Sequence, residues 1–215
     1  MERGKGGFYR FKWFWNILRN GLFWYGVRNR LEKIGLDFEP YYWELEGMEL
    51  GEEPAIKGNA GPFSLEFLKF DEIKTLANDL IGLDQATFLR GIEKGQRCIA
   101  LRQEDGAIAA YMQIETESVE YKNRVEPLAP NEAYLLGMYT YEKFRGKNLA
   151  PYLRYKSYEL LHKEGKDRLY SITTSLNKSS LKFKKKLGVR HLALRMHIGL
   201  FKTFHWNFLL KKYPG

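Results

Sequence analysis

At 215 residues the chain can hold one full α/β domain with its own core plus an appendage, and two complete enzyme domains would be crowded. The single cysteine, Cys98, excludes an intrachain disulfide, and no cluster of Cys and His has the spacing of a structural zinc site, so no metal is expected. With 35 Lys plus Arg against 26 Asp plus Glu, the net charge of +9 predicts attraction to something anionic, whether nucleotide phosphates, nucleic acid or a lipid surface. No uninterrupted apolar run reaches about 18 residues and no cleavable signal pattern is present, which leads us to expect a cytoplasmic protein, at most peripheral to a membrane.

The chain opens on an aromatic and basic stretch, Phe8-Tyr9-Arg10-Phe11-Lys12-Trp13-Phe14-Trp15, whose character runs to Leu36. Ile17, Leu18, Leu22, Tyr25 and Leu31 recur at helical spacing, broken near Gly21 or Gly26 and ended by Gly35, so residues 1–46 read as a helical extension. Residues 47–62 turn to Gly, Glu and Pro and read as a linker, with the boundary of the main domain, 63–215, just beyond.

In that domain Phe63–Phe70 is predicted as a strand, with helices over Glu72–Leu80 and Gln85–Lys94. Strands Arg97–Arg102 and Ala107–Glu115 follow, joined by Gln103-Glu104-Asp105-Gly106, whose Asp-Gly pair signals a hairpin. Glu132–Thr140 is a further strand, and a turn at 144–148 leads into a helix over Leu149–Lys163 in which Leu149, Leu153, Leu160 and Leu161 can share a buried face. Gly165 stops it. Leu169–Thr174 is predicted as a strand, Asn177–Leu187 as a basic helix stopped by Gly188, and Val189–Leu200 as one or two closing strands. The order is β-α-α-β-β-β-α-β-α-β, an α/β fold of the α+β kind.

A strand ending in a Gly-containing turn that enters a helix directs backbone N–H groups and the positive end of the helix dipole at one spot, which suits pyrophosphate. Here that turn is Phe144-Arg145-Gly146-Lys147-Asn148-Leu149-Ala150, with Arg145 and Lys147 adding charge. Residues 145–150 resemble the R/Q-x-x-G-x-G/A motif of the GNAT (Gcn5-related N-acetyltransferase) superfamily, with Asn148 in place of the middle Gly; Asn tolerates left-handed backbone angles, so the turn can keep its geometry. Residues 177–189 are similar to the family's N-x-x-A-x-x-L-Y-x-x-x-G-F helix. The resemblance covers roughly residues 63–200.

That resemblance implies a central mixed, mainly antiparallel sheet flanked by helices, and transfer of an acetyl group from acetyl-coenzyme A, or another acyl group from its acyl-CoA, to a primary amine on a small molecule or peptide. It implies that the strand ending at Thr140 splays from its neighbour, that backbone groups near Met138 and Thr140 pair with the pantetheine arm, and that amides of Gly146, Lys147, Asn148, Leu149 and Ala150 hold the pyrophosphate beside Arg145. Asn177 would touch the cofactor near its pantetheine end or its thiol, with Lys182, Lys185 or Lys186 near the adenosine phosphate. Direct transfer needs a neutral amine beside the thioester, a polarised carbonyl and a proton donor for the thiolate. The family's usual Tyr donor is replaced by Lys184; Tyr139 and Tyr141 are alternative donors. Glu115, Glu132 and Glu142 are candidate bases. His162, His191, His197 and His205 form no recognisable metal or triad set.

The aromatic ends, residues 8–25 and 200–213, leave three readings open: packing on the core or each other, a membrane-surface contact, or a homodimer contact. Two other functions stay open: a long-chain N-acyl transferase fed by an acyl carrier protein, and a noncatalytic module holding nucleic acid or anionic lipid. No specific nucleic-acid motif is present.

Overall fold

The computed structural model describes residues 23–58, 62–78, 85–201 and 203–214. The part of the expected helical extension before Phe23, with Ile17, Leu18, Leu22 and the aromatic run at Phe8–Trp15, lies outside them. The chain divides into two compact units, residues 45–171 and residues 1–44 with 172–215.

In the unit of residues 45–171, β2 (Phe63–Phe67), α2 (Phe70–Asn78), α3 (Gln85–Glu93), β3 (Arg97–Gln103), β4 (Ile108–Glu115), β7 (Glu132–Thr140) and α4 (Leu149–Lys163) fall where the sequence pattern places them, and β8 (Arg168–Thr174) begins here. The strands hydrogen-bond in the order β2-β3-β4-β7-β8, antiparallel except for the parallel pair β7 and β8. The expected β3–β4 turn closes with Gly106 N–H donating to the Gln103 carbonyl at 2.9 Å, Gly106 taking the positive φ of 84° for which glycine is suited. Two four-residue strands, β5 (Ser118–Tyr121) and β6 (Arg124–Pro127), pair only with each other. Strands that short carry too little alternation to stand out in a sequence.

Alternation along β4 separates two faces. Tyr111 points to the side of α2 and α3, into a core of Leu68, Ile73, Leu76, Phe88 and Cys98. Met112 points the other way, toward α4, where it meets Arg154. The buried stripe of α4 holds Leu149, Leu153 and Leu161 as expected, but also Arg154, Ser157 and Tyr158; Leu160 is only half-buried.

In the other unit, α1 (Phe23–Lys33) is followed by β1 (Leu36–Glu46), α5 (Lys178–Lys186), β9 (Arg190–Leu200) and β10 (Phe204–Lys212), with strand order β10-β9-β1-β8. Helix α1 stops before Gly35 (φ 85°) as predicted, but residues 36–46 are a strand rather than part of a helical extension. Its alternation is hidden because the inward positions are acids: Asp37 and Glu39 are buried against Arg28, with Nη2 of Arg28 2.7 Å from Asp37 Oδ1 and 2.9 Å from Glu39 Oε2. A hydrophobic-period reading scores those residues as solvent-facing. Val189–Leu200, expected as one or two strands, is one, and the aromatic segment after it is the edge strand β10, with Phe204, Trp206, Phe208, Leu209 and Leu210 exposed. No described helix is long and apolar enough to cross a membrane.

Candidate active site

Strand β7 changes partners along its length. Glu132, Ala133 and Tyr134 pair with Arg168, Leu169 and Tyr170 of β8, and among the described residues the pairing ends there, while on its other edge β7 stays paired with β4 to Thr140. The Leu135 carbonyl, just past the last β8 pair, accepts from Arg154 Nη2 at 3.4 Å. Arg154 is itself held by the fully buried Glu46, its Nε and Nη2 at 2.7 and 2.9 Å from the two carboxylate oxygens. Tyr158 donates to Glu46 at 2.5 Å, and Ser171 donates to the same carboxylate. A bidentate, fully hydrogen-bonded ion pair thus stands where the two strands part.

Two residues further on, the β4–β7 register slips: Gln113 faces Leu136 and Tyr111 faces Tyr139, leaving Gly137 and Met138 in a bulge. Gly137 has φ 57°, and a side chain there would meet Gln113 Oε1. Met138 and Thr140, the residues expected beside a pantetheine arm, therefore lie on the stretch of β7 free of β8. The Thr140 carbonyl accepts from Arg145 Nε at 3.1 Å.

The turn after β7 has the predicted shape. Glu142–Phe144 form one 3-10 turn with Phe144 buried, Gly146 takes φ 82°, and Asn148 sits in the left-handed region at φ 66° and ψ 22° before α4 starts at Leu149. Asn148 does not cap the helix; its Nδ2 donates 2.8 Å to the Ala55 carbonyl, and Lys57 N–H donates to the Lys147 carbonyl at 3.0 Å. The Asn148 side chain thus leaves the first-turn N–H groups of α4 uncapped, and nothing among the described residues lies within 4 Å of where a Cβ on Gly146 would be. Pro151 in that first turn costs no hydrogen bond. These features fit an incoming pyrophosphate. Arg145 and Lys147, expected at the mouth, fold back instead: Arg145 Nη2 lies 3.4 Å from the Tyr139 hydroxyl, and Lys147 Nζ is 5.4 Å from the centre of the Phe144 ring.

On the α2–α3 face, Tyr139 and Tyr141 pack with Tyr111, ring centres 5.4–6.4 Å apart. Burial raises the Tyr111 hydroxyl well above the ordinary phenol value, and that oxygen is buried without a hydrogen-bond partner among the described residues. Further along β4 a cavity of about 690 Å³ opens between α3, β4 and β7, and Tyr141 lines a separate, smaller one. The lining of the larger includes Glu115, whose Oε1 accepts from Thr116 and Glu117 N–H at 2.7 and 2.8 Å. Glu132 does not join it as a base: Oε1 accepts from the Tyr170 hydroxyl at 2.8 Å and Oε2 from Ala129 N–H at 2.9 Å. Glu142 is exposed on the 3-10 turn.

Two expected site residues belong to the other unit. Asn177 is the N-cap of α5, accepting from Ser180 N–H at 3.1 Å. Lys184 is 4% exposed, with Nζ 2.6 Å from both Glu44 Oε2 and Thr173 Oγ1. A buried ammonium so engaged is a tie between α5, β1 and β8, and we assign it no proton-donor role. Lys182, Lys185 and Lys186 are exposed. Among the described residues no group of three or more His, Cys, Asp or Glu is placed to hold a metal. Gln96, Gln113 and Arg154 were not singled out from the sequence; the polar tips at 111, 113 and 115 on one side of an otherwise apolar strand were the available signal.

The model of the acetyltransferase (GNAT) family matches residues 67–189, more than half of the chain. No curated protein matches in sequence. Among solved structures, an acetyltransferase from the GNAT family of Colwellia psychrerythraea is 14% identical with a TM-score of 0.55, covering 77% of this chain and 58% of its own. The GCN5-related glucosamine N-acetyltransferase region of a fungal multi-domain β-N-acetylglucosaminidase is 14% identical with a TM-score of 0.56, covering 84% of this chain and 22% of that one. A Drosophila protein of structural genomics origin has 11% identity and a TM-score of 0.55, covering 83% and 59%. The chain thus spans less than two thirds of the length of each of these proteins, and at such identities they speak for the fold alone. With the parted strand, the bulge and the left-handed turn all falling inside the matched span, the chain belongs to the GNAT family of acetyltransferases.

Proposed function

We propose that this protein transfers an acyl group, most simply acetyl, from coenzyme A to a primary amine. The observation that carries the reading is the parting of β7 from β8 beside a left-handed turn at the start of a 15-residue helix. Such a gap offers unpaired strand backbone to a pantetheine arm and helix amides to its pyrophosphate. The backbone at Met138 and the amides from Gly146 to Ala150 are the groups we assign to holding coenzyme A.

Glu115 is the base in this reading. Its carboxylate takes a proton from the acceptor ammonium; the nitrogen bonds to the thioester carbon, the carbon–sulfur bond breaks, and the departing thiolate is protonated. Tyr141 and Tyr139, on the same face, are the candidate donors of that proton. Calorimetry with acetyl-coenzyme A tests the reading. Binding in the micromolar range is expected, weakened at least tenfold by Gly146→Val, which forces a β-branched residue to φ 82° at the turn. No binding to the parent protein at millimolar cofactor would sink it.

For the aromatic C-terminal segment, the exposure of Phe204, Trp206 and Phe208 on β10, close to Lys211 and Lys212, favours contact with an anionic membrane surface. Co-sedimentation with phosphatidylglycerol vesicles, abolished by Trp206→Ser with Phe208→Ser, is the expected result; no sedimentation of the parent protein would reject it.

A further inference from the structure

The cavity on the α2–α3 face has a polar construction that goes beyond a place for any amine. Glu115 is 7% exposed, and one of its oxygens is pinned by two backbone N–H groups. Its other oxygen, Oε2, has no partner among the described residues. Two positions earlier on the same face of β4, Gln113 is 6% exposed; its Nε2 donates to Gln96 Oε1 at 3.0 Å, so its own Oε1 is turned to the Gly137 bulge, where it too receives no donor among the described residues. Gln96 is fixed in turn by close approach to Gly91, where a Cβ would lie 2.3 Å from its Oε1. The floor of the cavity therefore holds two acceptor oxygens in fixed positions, with no donor on either among the described residues.

Neither oxygen is sealed from the cavity, so each can take a donor brought by a ligand. An ammonium supplies up to three, and a charge of the right sign. Both signs line the rest of the cavity, Arg90 and Lys94 of the α3 segment together with Glu117 and Glu120. Lys94 reaches Glu120 at 3.4 Å in an exposed pair, whereas Arg90 has no acidic partner among the described residues. A guanidinium with its fork unfilled at the mouth of a pocket is suited to a carboxylate.

We propose that this cavity binds an amine that also carries a carboxylate, an amino acid or ω-amino acid, with the ammonium on Glu115 and Gln113 and the carboxylate on Arg90. This rests on the acyl-transfer reading only for its consequence, that such a compound is the acyl acceptor; the binding itself does not require coenzyme A. A volume of about 690 Å³ is ample for a molecule of that size. Gln113 is then a positioning residue for the amine, and Arg90 sets specificity.

The experiment has two arms. In the first, calorimetry without cofactor compares 6-aminohexanoate, lysine, n-hexylamine and hexanoate. An amino carboxylate is expected to bind at least tenfold more tightly than hexylamine or hexanoate; Arg90→Gln should abolish that advantage and leave hexylamine binding unchanged, and Gln113→Leu should weaken both amines. In the second, coenzyme A release from acetyl-coenzyme A is followed with the same acceptors, where Arg90→Gln should raise KM for the amino carboxylate about tenfold at unchanged kcat. Equal binding of hexylamine and 6-aminohexanoate, or an Arg90→Gln variant with the parent's preference, overturns the proposal. Tight amino-carboxylate binding with no acetyl-coenzyme A binding would instead overturn the acyl-transfer reading and leave the cavity's ligand standing.

Discussion

Glu44 and Glu46 lie two residues apart on β1, both with no exposed side chain, yet they are satisfied in different ways. Glu46 meets a bidentate guanidinium and two hydroxyls, Tyr158 and Ser171, so both of its oxygens are doubly engaged. Glu44 meets an ammonium and one hydroxyl on Oε2, while Oε1 lies 3.2 Å from Nδ1 of the partly exposed His191, which stacks on Tyr42. The contrast is that between Arg and Lys as buried partners: a planar fork fixes a carboxylate in one orientation, and a point charge leaves one oxygen to other neighbours. The Arg site also caps the Leu135 carbonyl, so its rigidity is spent on holding β7 where it leaves β8.

The largest expected effect follows from removing that fork. Arg154→Ala strands a buried carboxylate and should cost about 3–5 kcal/mol, read as a fall in the urea midpoint, with Arg154→Lys recovering less than half. Lys184→Ala breaks the neighbouring pair and should cost about 3 kcal/mol, the low end of the same range, because His191 still faces Glu44. If the double variant Glu44→Leu with Lys184→Met is more stable than either single replacement, the pair serves specificity rather than stability. A Lys184→Ala loss equal to that of Arg154→Ala would erase the distinction drawn here.

A smaller effect is expected at the turn. Asn148→Ala places an ordinary residue at φ 66° and removes the bond to the Ala55 carbonyl, for about 1–2 kcal/mol, while Asn148→Gly removes only the bond. Smallest is the response of buried neutral groups that have no ion-pair partner at all. Burial pushes the Cys98 thiol up from its usual value near 9 to about 12, and pushes Tyr111 up as well. Both are protonated in folded and unfolded chains well below pH 9, so stability is intact there. As pH rises from 9 toward 12 the unfolded chain loses protons that the folded one keeps, and stability falls. At pH 9.5 the loss should be under about 1 kcal/mol, reduced in Cys98→Ala. The folded protein should also leave Cys98 unalkylated by iodoacetamide at pH 8.

Much of the frame was legible. β7 and α4 fall on the expected residues, and the hairpin turn at Asp105-Gly106 and the left-handed Asn148 follow from residue types whose local backbone preferences need no tertiary help. β1 was not legible, because Asp37, Glu39, Glu44 and Glu46 put acids on its buried positions and their partners, Arg28, Lys184 and Arg154, lie elsewhere in the chain. Tyr139 and Tyr141 were visible as candidates, but their packing on Tyr111 was not.

The order of the main elements, the turn at residues 144–150 and the family could be read along the chain, since periodicity, glycine placement and short motifs act within a few residues. Which charges are paired and which face a cavity was set by the folding of distant segments onto one another. That folding put Lys184 against Glu44, folded Arg145 onto Tyr139 and Thr140, pinned one oxygen of Glu115, and set Arg90 at the cavity rim with no acidic partner among the described residues. Whether a charged side chain pairs or waits for a ligand depends on groups brought together from distant positions, and no local pattern encodes that.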